Sequence, residues 1–341
     1  MPELKLYTVK DLREWLIYDH PAEGLSERVI APTRAWAIIH NPYVKDEDAI
    51  VAAIFEDGEL AAYTASFPDM LDGKRVWWAS TLYCYPKFTG KGYGLIVVGS
   101  LMEAHEPDLT YDRWGANETI EIFNYLGYKT IYTSRYHLAD KTINLSTYRG
   151  KSAFYVQELK KRLHPWPKPS KVNYTLQYSS FVDGETYAFM MAHKGNDLWL
   201  REQGMLNWIL GYPFKISCIL YDRVDKKCEF GSEMVSYRYM LVKMYVDNDL
   251  HAVYVIRQNN ESLSVIYLYY DEEYQNVAFA SIVDHIIKIK PRSFTSEHKE
   301  LCTYVRNRLY FPKYVEERVS LSLPEIEGEY TMQMGDGDSY A

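Results

Sequence analysis

The stretch that decides the fold reads KFTGKGYG and runs from Lys87 to Gly94. It follows WWASTLYCYP (77–86), which is typical of a strand, and precedes LIVVGSLMEAHEP (95–107), which is typical of a helix. Glycine tolerates positive φ and leaves the backbone bare, and free N–H groups at the start of a helix bind anions. With two added lysines, the stretch predicts a loop that binds a phosphate or pyrophosphate. A plain tight turn is the alternative.

The segments around this loop predict a mixed α/β fold. Two helical patterns, VKDLREWLIYDH and TRAWAIIHNP, precede AIVAAIFEDGELAAYTASF, which reads as two strands joined by a tight turn at 56–58. After the loop and its helix come a short strand, DLTYD, a helix, NETIEIFNYLGYK, and a strand, TIYTSRY. The loop spacing is not that of a P-loop, and antiparallel hairpins come before it, so a dinucleotide-binding fingerprint is excluded as well.

Composition narrows the class of protein. The chain has 341 residues, enough for two domains, and a net charge of −8 without a long basic run, which argues against nucleic acid as a partner. Its 32 tyrosines favour strands. We expect no membrane partner, since no apolar run is long enough to span a bilayer. The beginning of the sequence lacks a signal-peptide pattern and the four cysteines form no C-x-x-C pair, so we expect a cytoplasmic protein with reduced thiols.

The second half repeats the first weakly. LYYDEEYQNVAFA (268–280) aligns without a gap with LYCYPKFTGKGYG (82–94), and Trp208 repeats the setting of Trp36 before a proline-stopped helix. Two matches in the same order favour a duplication. The positions of Lys87, Gly90, Lys91 and Gly92 are taken by Glu273, Asn276, Val277 and Ala278. The carboxylates would repel a pyrophosphate and the added side chains would crowd it. We therefore expect the second copy to have lost the binding of a cofactor that carries this group.

LYCYPKFTGKGYG resembles the acetyl-coenzyme A loop of the GNAT superfamily of N-acetyltransferases, Gln/Arg-x-x-Gly-x-Gly/Ala, with Lys87 at the first position. NETIEIFNYLGYK is similar to a later helix of that family. The resemblance covers about the first 140 residues and implies two tandem GNAT-like domains, each a mixed, mostly antiparallel sheet flanked by helices, the second one degenerate. The expected boundaries are 1–160 for the acetyl-CoA domain, 161–172 for a proline-rich linker, 173–325 for the degenerate domain and 326–341 for an acidic tail, interpreted as frayed or partner-dependent.

The resemblance also implies a site for acetyl-CoA as cosubstrate. A strand edge at 82–84 would pair with the pantetheine arm, and the N–H groups of 88–94 would hold the pyrophosphate. An amine would then attack the thioester carbonyl directly. The residues expected to contact the cofactor are Leu82, Tyr83, Cys84, Lys87, Phe88, Thr89, Gly90, Lys91, Gly92, Tyr93, Gly94, Asn117 and Phe123.

The chain departs from the family pattern at the catalytic groups. Phe123 stands where the family has a proton-donating tyrosine, and Asn117 is one residue away from its expected spacing. Either solvent or another group protonates the thiolate, or the activity is altered or lost; the first is our interpretation. Asp112 is the candidate general base, although a helix-capping aspartate is the more common role in such a position. Cys84 lacks a recognisable partner for nucleophilic catalysis and is interpreted as a buried strand residue.

Three functions remain open at this point. The first is an N-acetyltransferase that acts on a small amine or amino sugar, with a homodimer as its assembly. The second is a ligase similar to the tandem-domain, aminoacyl-tRNA-dependent enzymes of cell-wall synthesis, which the missing basic surface disfavours. The third is a catalytically silent acyl-CoA sensor or scaffold, which Phe123 keeps open.

Overall fold

A computed structural model of the chain describes residues 1–71, 73–113, 115–140, 148–163, 166–197, 201–212, 237–323 and 331–336. In chain order, the elements of the first half are β1 Pro2–Thr8, α1 Val9–Tyr18, α2 Pro32–Ile38, β2 Ala49–Glu56, β3 Glu59–Leu71, β4 Lys74–Cys84, α3 Tyr93–His105, β5 Leu109–Arg113, α4 Asn117–Tyr125 and β6 Lys129–Ala139.

The second half has the same order of elements. They are β7 Thr175–Ser179, α6 Gly184–Ala192, α7 Gln203–Gly211, β8 Tyr237–Val246, β9 Asp249–Asn259, β10 Ser262–Tyr270, α8 Gln275–Ile289, β11 Ser293–Ser296, α9 Lys299–Arg308 and β12 Lys313–Leu323. Helix α5, Tyr148–Leu163, lies between the halves and was not predicted from the sequence. Each half therefore has the predicted mixed α/β composition.

The strands of the described residues form one continuous sheet of twelve, in the order β1-β2-β3-β4-β5-β12-β6-β11-β10-β9-β8-β7. Most neighbouring strands are antiparallel, and the exceptions are the parallel pairs β4–β5 and β10–β11. The halves exchange their last strands, because β12 lies between β5 and β6, and β6 lies between β12 and β11. The fold class agrees with the prediction, but the two predicted sheets are joined into one.

Local signals in the sequence explain the first elements. Thr8 and Asp11 form a capping box at the start of α1, in which the Thr8 N–H donates to Asp11 over 2.7 Å and the Asp11 N–H donates to Thr8 over 3.2 Å. Strands β2 and β3 are joined by Asp57 and Gly58, both with positive φ. That turn matches the twist of the strands, so the predicted hairpin is confirmed.

Helices cover both faces of the sheet. Helices α1, α2, α6 and α7 pack in a single core that spans both halves. The Trp208 indole N–H of α7 donates to the Ala37 carbonyl of α2 over 2.7 Å, which joins the halves on this face. On the opposite face α3 covers the first half, and α8 and α9 cover the second. The binding regions of both halves are therefore held by one rigid sheet.

Several predictions concern the connecting segments. Residues 161–163 of the expected linker belong to α5, and 166–171 have no regular structure. The part of the tail that the structure describes, 331–336, is packed rather than frayed, with Asp336 fully buried. Cys84 and Cys302 are free thiols, and Cys218 and Cys228 lie outside the described residues. None of the described helices combines the length and the apolar character needed to cross a bilayer.

Candidate functional site

Strands β4 and β5 separate partway along their length. They pair only where Val76–Trp78 face Leu109–Tyr111, and β4 continues to Cys84 with no described strand on that side. The edge of β4 from Ala79 to Cys84 is therefore open toward the end of β5, and we call this gap the first cleft. An open strand edge offers backbone N–H and C=O groups to a ligand with amide bonds.

A bulge interrupts β4 at this opening. Thr81 and Leu82 together face Thr64 on β3, so β4 carries one extra residue at this point. Thr81 has a φ of 57°, which is an outlier for a β-branched residue. Strain of this kind persists where surrounding contacts enforce it and is concentrated at functional sites. The bulge turns the peptide groups of Thr81 and Leu82 out of the regular strand pairing.

The glycine loop follows the end of β4. A short 3-10 turn, Pro86–Phe88, leads to Gly90 and Gly92, whose φ values are 84° and 76°. Gly92 is the N-cap of α3 and caps it without a side chain. In the described chain, the N–H groups of Gly90 and Gly92 have no hydrogen-bond acceptor. They lie beside the first turn of α3, whose N–H groups have no acceptor within the helix, although that of Gly94 donates to the Cys84 sulfur; the arrangement suits a phosphate.

Both loop lysines are already paired. The Lys87 and Lys91 ammonium groups each lie 2.6 Å from a carboxylate of the β2–β3 hairpin, Glu59 and Glu56 respectively. The hydrogen bond with Glu56 raises the pKa of Lys91, and the same bond lowers the pKa of Glu56. These pairs are solvent-exposed and contribute little to stability, so a phosphate can replace the carboxylates. Sequence reasoning missed the two glutamates, because the hairpin gives no signal of its position beside the loop.

Alternate residues at the end of β4 point to opposite faces of the sheet. Leu82 and Cys84 pack under α3, and an added Cβ on Gly94 would lie 3.8 Å from the Cys84 sulfur and 3.3 Å from Ile122 of α4. Partial burial raises the pKa of the Cys84 thiol, which disfavours a thiolate nucleophile; Cys84 lies on a strand as predicted, but it is half-buried rather than buried. Ile122, which contacts this region, was not predicted.

Tyr83 points to the face covered by α1 and α2. Its ring lies 6.0 Å from that of Tyr63 and 5.0 Å from that of Tyr85. The three rings form an aromatic cluster on the side of the sheet opposite α3. Tyr63 is fully buried, whereas Tyr83 and Tyr85 are half-buried, so the accessible part of the cluster consists of these two rings.

The predicted catalytic positions lie around the end of β5. Asp112 is 6% exposed and faces Ser322 of β12 in the strand pairing. Its Oδ2 lies 2.5 Å from where a Cβ on Gly115 would stand, against the turn into α4. Asn117 is exposed at the first position of α4, whereas Phe123 is fully buried with its ring 5.2 Å from that of Tyr128. Their predicted roles toward a ligand stay predictions.

The second half has an equivalent gap, which we call the second cleft. Strands β10 and β11 pair only where Ser262–Ser264 face Ser293–Thr295. Beyond that point the chain's own segment 331–336 binds the open edge of β10. The Gly335 N–H donates to the Ile266 carbonyl over 2.8 Å, and the Gln333 side-chain amide both accepts from the Leu268 N–H (3.1 Å) and donates to the Leu268 carbonyl (3.2 Å). A cavity of about 550 Å³ remains beside this segment.

A buried ion pair joins the two clefts. Arg113 at the end of β5 and Glu297, which follows β11, lie 2.5 Å apart with side chains 1% and 4% exposed. The other arm of the Arg113 guanidinium donates to the carbonyls of Gln333 (2.7 Å) and Asp336 (2.9 Å). Arg113 therefore holds the tail segment in the second cleft from a strand of the first half.

Comparison with known proteins identifies the fold. No protein-family model and no curated protein sequence matches the chain. Solved structures do match. Saccharomyces cerevisiae N-myristoyltransferase with bound myristoyl-CoA matches with a TM-score of 0.52 and 11% identity, over 99% of this chain and 87% of that one. A suggested acetyltransferase from Pyrococcus horikoshii matches with a TM-score of 0.52 and 10% identity, over 95% of this chain and 90% of that one.

A GCN5-related N-acetyltransferase from Kribbella flavida matches with a TM-score of 0.49 and 14% identity, over 95% of this chain and 72% of that one. At such identities the similarity is one of fold. The yeast and Pyrococcus horikoshii structures, each with a TM-score of 0.52, share the GNAT-type fold of this chain, and the predicted resemblance is confirmed at the level of the fold.

Proposed function

We propose that this chain, whose fold is of the GNAT type, binds acyl-coenzyme A in its first cleft and transfers the acyl group to an amine. One observation carries the proposal: the open edge of β4 leads directly, past a strained bulge, into a glycine loop with free N–H groups at the start of α3. The cleft provides an edge for amide groups at one end and a site for an anion at the other. The pantetheine and pyrophosphate parts of coenzyme A have these two characters.

Each part of the first cleft has a role in this proposal. The backbone of 82–84 pairs with the pantetheine arm, and the N–H groups of Gly90 and Gly92 and of the first turn of α3 bind the pyrophosphate. The peptide groups of Thr81 and Leu82 then lie at the thioester end. An N–H donated to the thioester oxygen stabilises the oxyanion that develops when the amine attacks.

The amine approaches from the side of α1 and α2, where Tyr63, Tyr83 and Tyr85 form the aromatic cluster. A small amine or amino sugar suits that surface. Attack requires a neutral amine, and Asp112 is the proposed base, acting through water. The coenzyme A thiolate is protonated by solvent, because Phe123 has no hydroxyl and general acid catalysis is worth only about 10²–10⁴-fold.

The acyl group proposed is acetyl. The yeast enzyme that shares the fold binds myristoyl-CoA, so the longer acyl chain is the alternative to compare. A silent acyl-CoA binder is the second candidate function, and the complete burial of Phe123 favours it. With Tyr125 exposed on another face of α4, the described part of that helix presents no tyrosine for protonating a thiolate in the first cleft.

The test is calorimetric titration of the chain with acetyl-CoA and with myristoyl-CoA, with thiol release measured on the same sample over pooled amines. The expected result is one site per chain and release of coenzyme A with at least one pool. One site without release would favour the silent binder. No binding of either thioester would overturn the proposal and leave KFTGKGYG as a turn.

A further inference from the structure

Helix α2 carries a buried cation against the bulge of β4. Arg34 is 6% exposed, and its Nη1 donates to the Ser80 hydroxyl over 2.8 Å. Ser80 is itself 5% exposed. Taking a guanidinium out of water is costly unless its hydrogen bonds are retained. The hydrogen bond to Ser80 is one of the contacts that replace water around this guanidinium, and it ties α2 to β4.

Ser80 is held on two sides. Its hydroxyl accepts from Arg34, and its carbonyl accepts from the Thr64 hydroxyl over 3.3 Å. The next residue is Thr81, with its φ of 57°. For an L-residue the left-handed conformation is sterically unfavourable, so neighbouring contacts must maintain it. Arg34 and Thr64 provide these contacts on the residue directly before the strained position.

The second half shows that the fold does not need this pair. At the offset that aligns the two motifs, Ser80 corresponds to Ile266, and at the offset that pairs Trp36 with Trp208, Arg34 corresponds to Leu206. Ile266 and Leu206 are both buried. Strand β10 also has a bulge, with Ile266 as the extra residue. No positive φ occurs at Ile266 or Tyr267.

The polar pair and the strained residue thus occur together, in the half that carries the glycine loop. The half without the loop places its bulge one residue earlier, at Ile266, which aligns with Ser80, and has no left-handed residue there. A difference that the shared fold does not require indicates a requirement of the cleft itself.

We propose that Arg34 is a positioning residue: through Ser80 it holds the Thr81 bulge in the geometry that directs a backbone N–H at the thioester oxygen. This inference rests on the proposed function and extends it to a residue on α2. Arg34 acts on turnover through the strand and does not itself contribute to cofactor affinity. Its removal therefore lowers kcat and leaves acyl-CoA binding nearly unchanged, because the pantetheine edge and the glycine loop remain.

The experiment replaces Arg34 and Ser80 by the residues that align with them in the second half. The double variant Arg34→Leu/Ser80→Ile installs the apolar pair that the other half already accommodates, so we expect a folded protein with a cooperative thermal transition. The expected Kd for acetyl-CoA stays within threefold of the wild type. The expected kcat falls by about 10²–10³, the loss typical of removing one oxyanion donor. Arg34→Lys should retain part of the activity.

A matched control is Arg13→Leu, which removes a half-exposed cation from the neighbouring helix α1. Its turnover should stay within twofold of the wild type. A folded double variant that turns over within threefold of the wild type would overturn the inference and leave the proposed function intact.

A second readout does not depend on the acceptor. The infrared carbonyl band of bound acetyl-CoA labelled with ¹³C at the thioester should lie below its frequency in water in the wild type, and should return toward it in the double variant. An identical band in both proteins would contradict the role of Arg34. If the wild type binds no acyl-CoA at all, the proposed function fails and the inference fails with it.

Discussion

The junction between β4 and α3 and the junction between β10 and α8 occupy equivalent positions in the two halves, but only the first contains a glycine loop. After β4 the chain makes a 3-10 turn and passes through two left-handed glycines before α3 begins at Tyr93. After β10 it makes a 3-10 turn, Glu272–Tyr274, and α8 begins immediately at Gln275. In aligned positions α8 starts four residues earlier, where the first half has its loop. Where the first half has a glycine loop, the second half thus has a helical turn that carries side chains.

The strand edges of the two clefts also differ. Beyond Trp78, β4 pairs with no described strand on the cleft side, whereas the edge of β10 binds Gln333 and Gly335 of the same chain. The side-chain amide of Gln333 makes the pair of hydrogen bonds that an amide group of a bound cofactor would make. The missing glycine loop and the occupied strand edge therefore both disfavour binding of a cofactor in the second cleft.

The largest expected effect concerns the ion pair between the clefts. Glu297→Leu leaves the Arg113 charge buried without its carboxylate, and we expect the free energy of unfolding to fall by about 3–5 kcal/mol. Urea denaturation measures this value. The double variant Arg113→Met/Glu297→Leu should lose less than the two single losses combined. Additive losses would contradict a direct interaction between the equivalent ends of the two halves.

A smaller effect, on affinity, tests the loop. Gly92→Val places a β-branched residue at a φ of 76° and crowds the free N–H groups, so acetyl-CoA affinity should fall at least 30-fold by calorimetry. The control is Gly73→Val, because Gly73 has a φ of 72° in the β3–β4 turn and an added Cβ meets nothing within 4 Å at either glycine. Both variants should lose similar stability, and the control should bind normally. Equal affinity losses would mean that strain, and not the loop, explains the result.

The buried carboxyl group of Asp336 in the tail segment predicts that the free energy of unfolding depends on pH. Burial raises the pKa of Asp336 to about 8 from a model-compound value of 3.8, so between these pH values the folded chain holds a proton that the unfolded chain has lost. This group therefore lowers the free energy of unfolding as pH rises from about 4 to about 8, with no further change above that. Asp336→Asn should flatten the profile between pH 5 and 8 and make the protein more stable than the wild type at pH 8.5. Denaturation at several pH values checks this, and an unchanged slope would contradict it.

The smallest expected effect tests the competition for Lys91. Glu56→Gln removes the carboxylate that lies 2.6 Å from the Lys91 ammonium, which leaves the lysine free for a pyrophosphate. Acetyl-CoA affinity should rise about two- to fivefold at low ionic strength, and the gain should shrink at high salt because both groups are exposed. A lower affinity in this variant would mean that Glu56 orders the loop rather than competing with the ligand.

The sequence alone predicted the turns and loops that a few adjacent residues determine. The Asp57–Gly58 turn fixes a hairpin, and the glycines before Tyr93 fix a loop before a helix, so both were found from a few adjacent residues. The exchange of β6 and β12 could not be found in this way. Pairing between Arg113 and Leu321 joins strands about 200 residues apart and leaves no pattern in either segment.

The same limit explains what was missed at the site. Glu56 and Arg34 reach the first cleft from elements whose own patterns describe only a hairpin and a short helix. Their position depends on packing of the whole sheet, which a single sequence does not encode locally. The tail was misread because glycine and aspartate are typical of exposed ends, whereas here Gly335 allows close contact with the Tyr267 ring, which an added Cβ would approach to 2.3 Å.

The exchanged strands also constrain how the protein is made. Because β12 is the last strand of the chain and lies between β5 and β6, the first half has an open seam in its sheet until synthesis has passed Leu323. A ribosome-bound chain that ends before that point exposes two unpaired strand edges, which promotes aggregation, and closing the seam requires contacts of very long sequence separation, which are slow to form. The half without the glycine loop is therefore indispensable: it completes the sheet on which the other half's cleft depends.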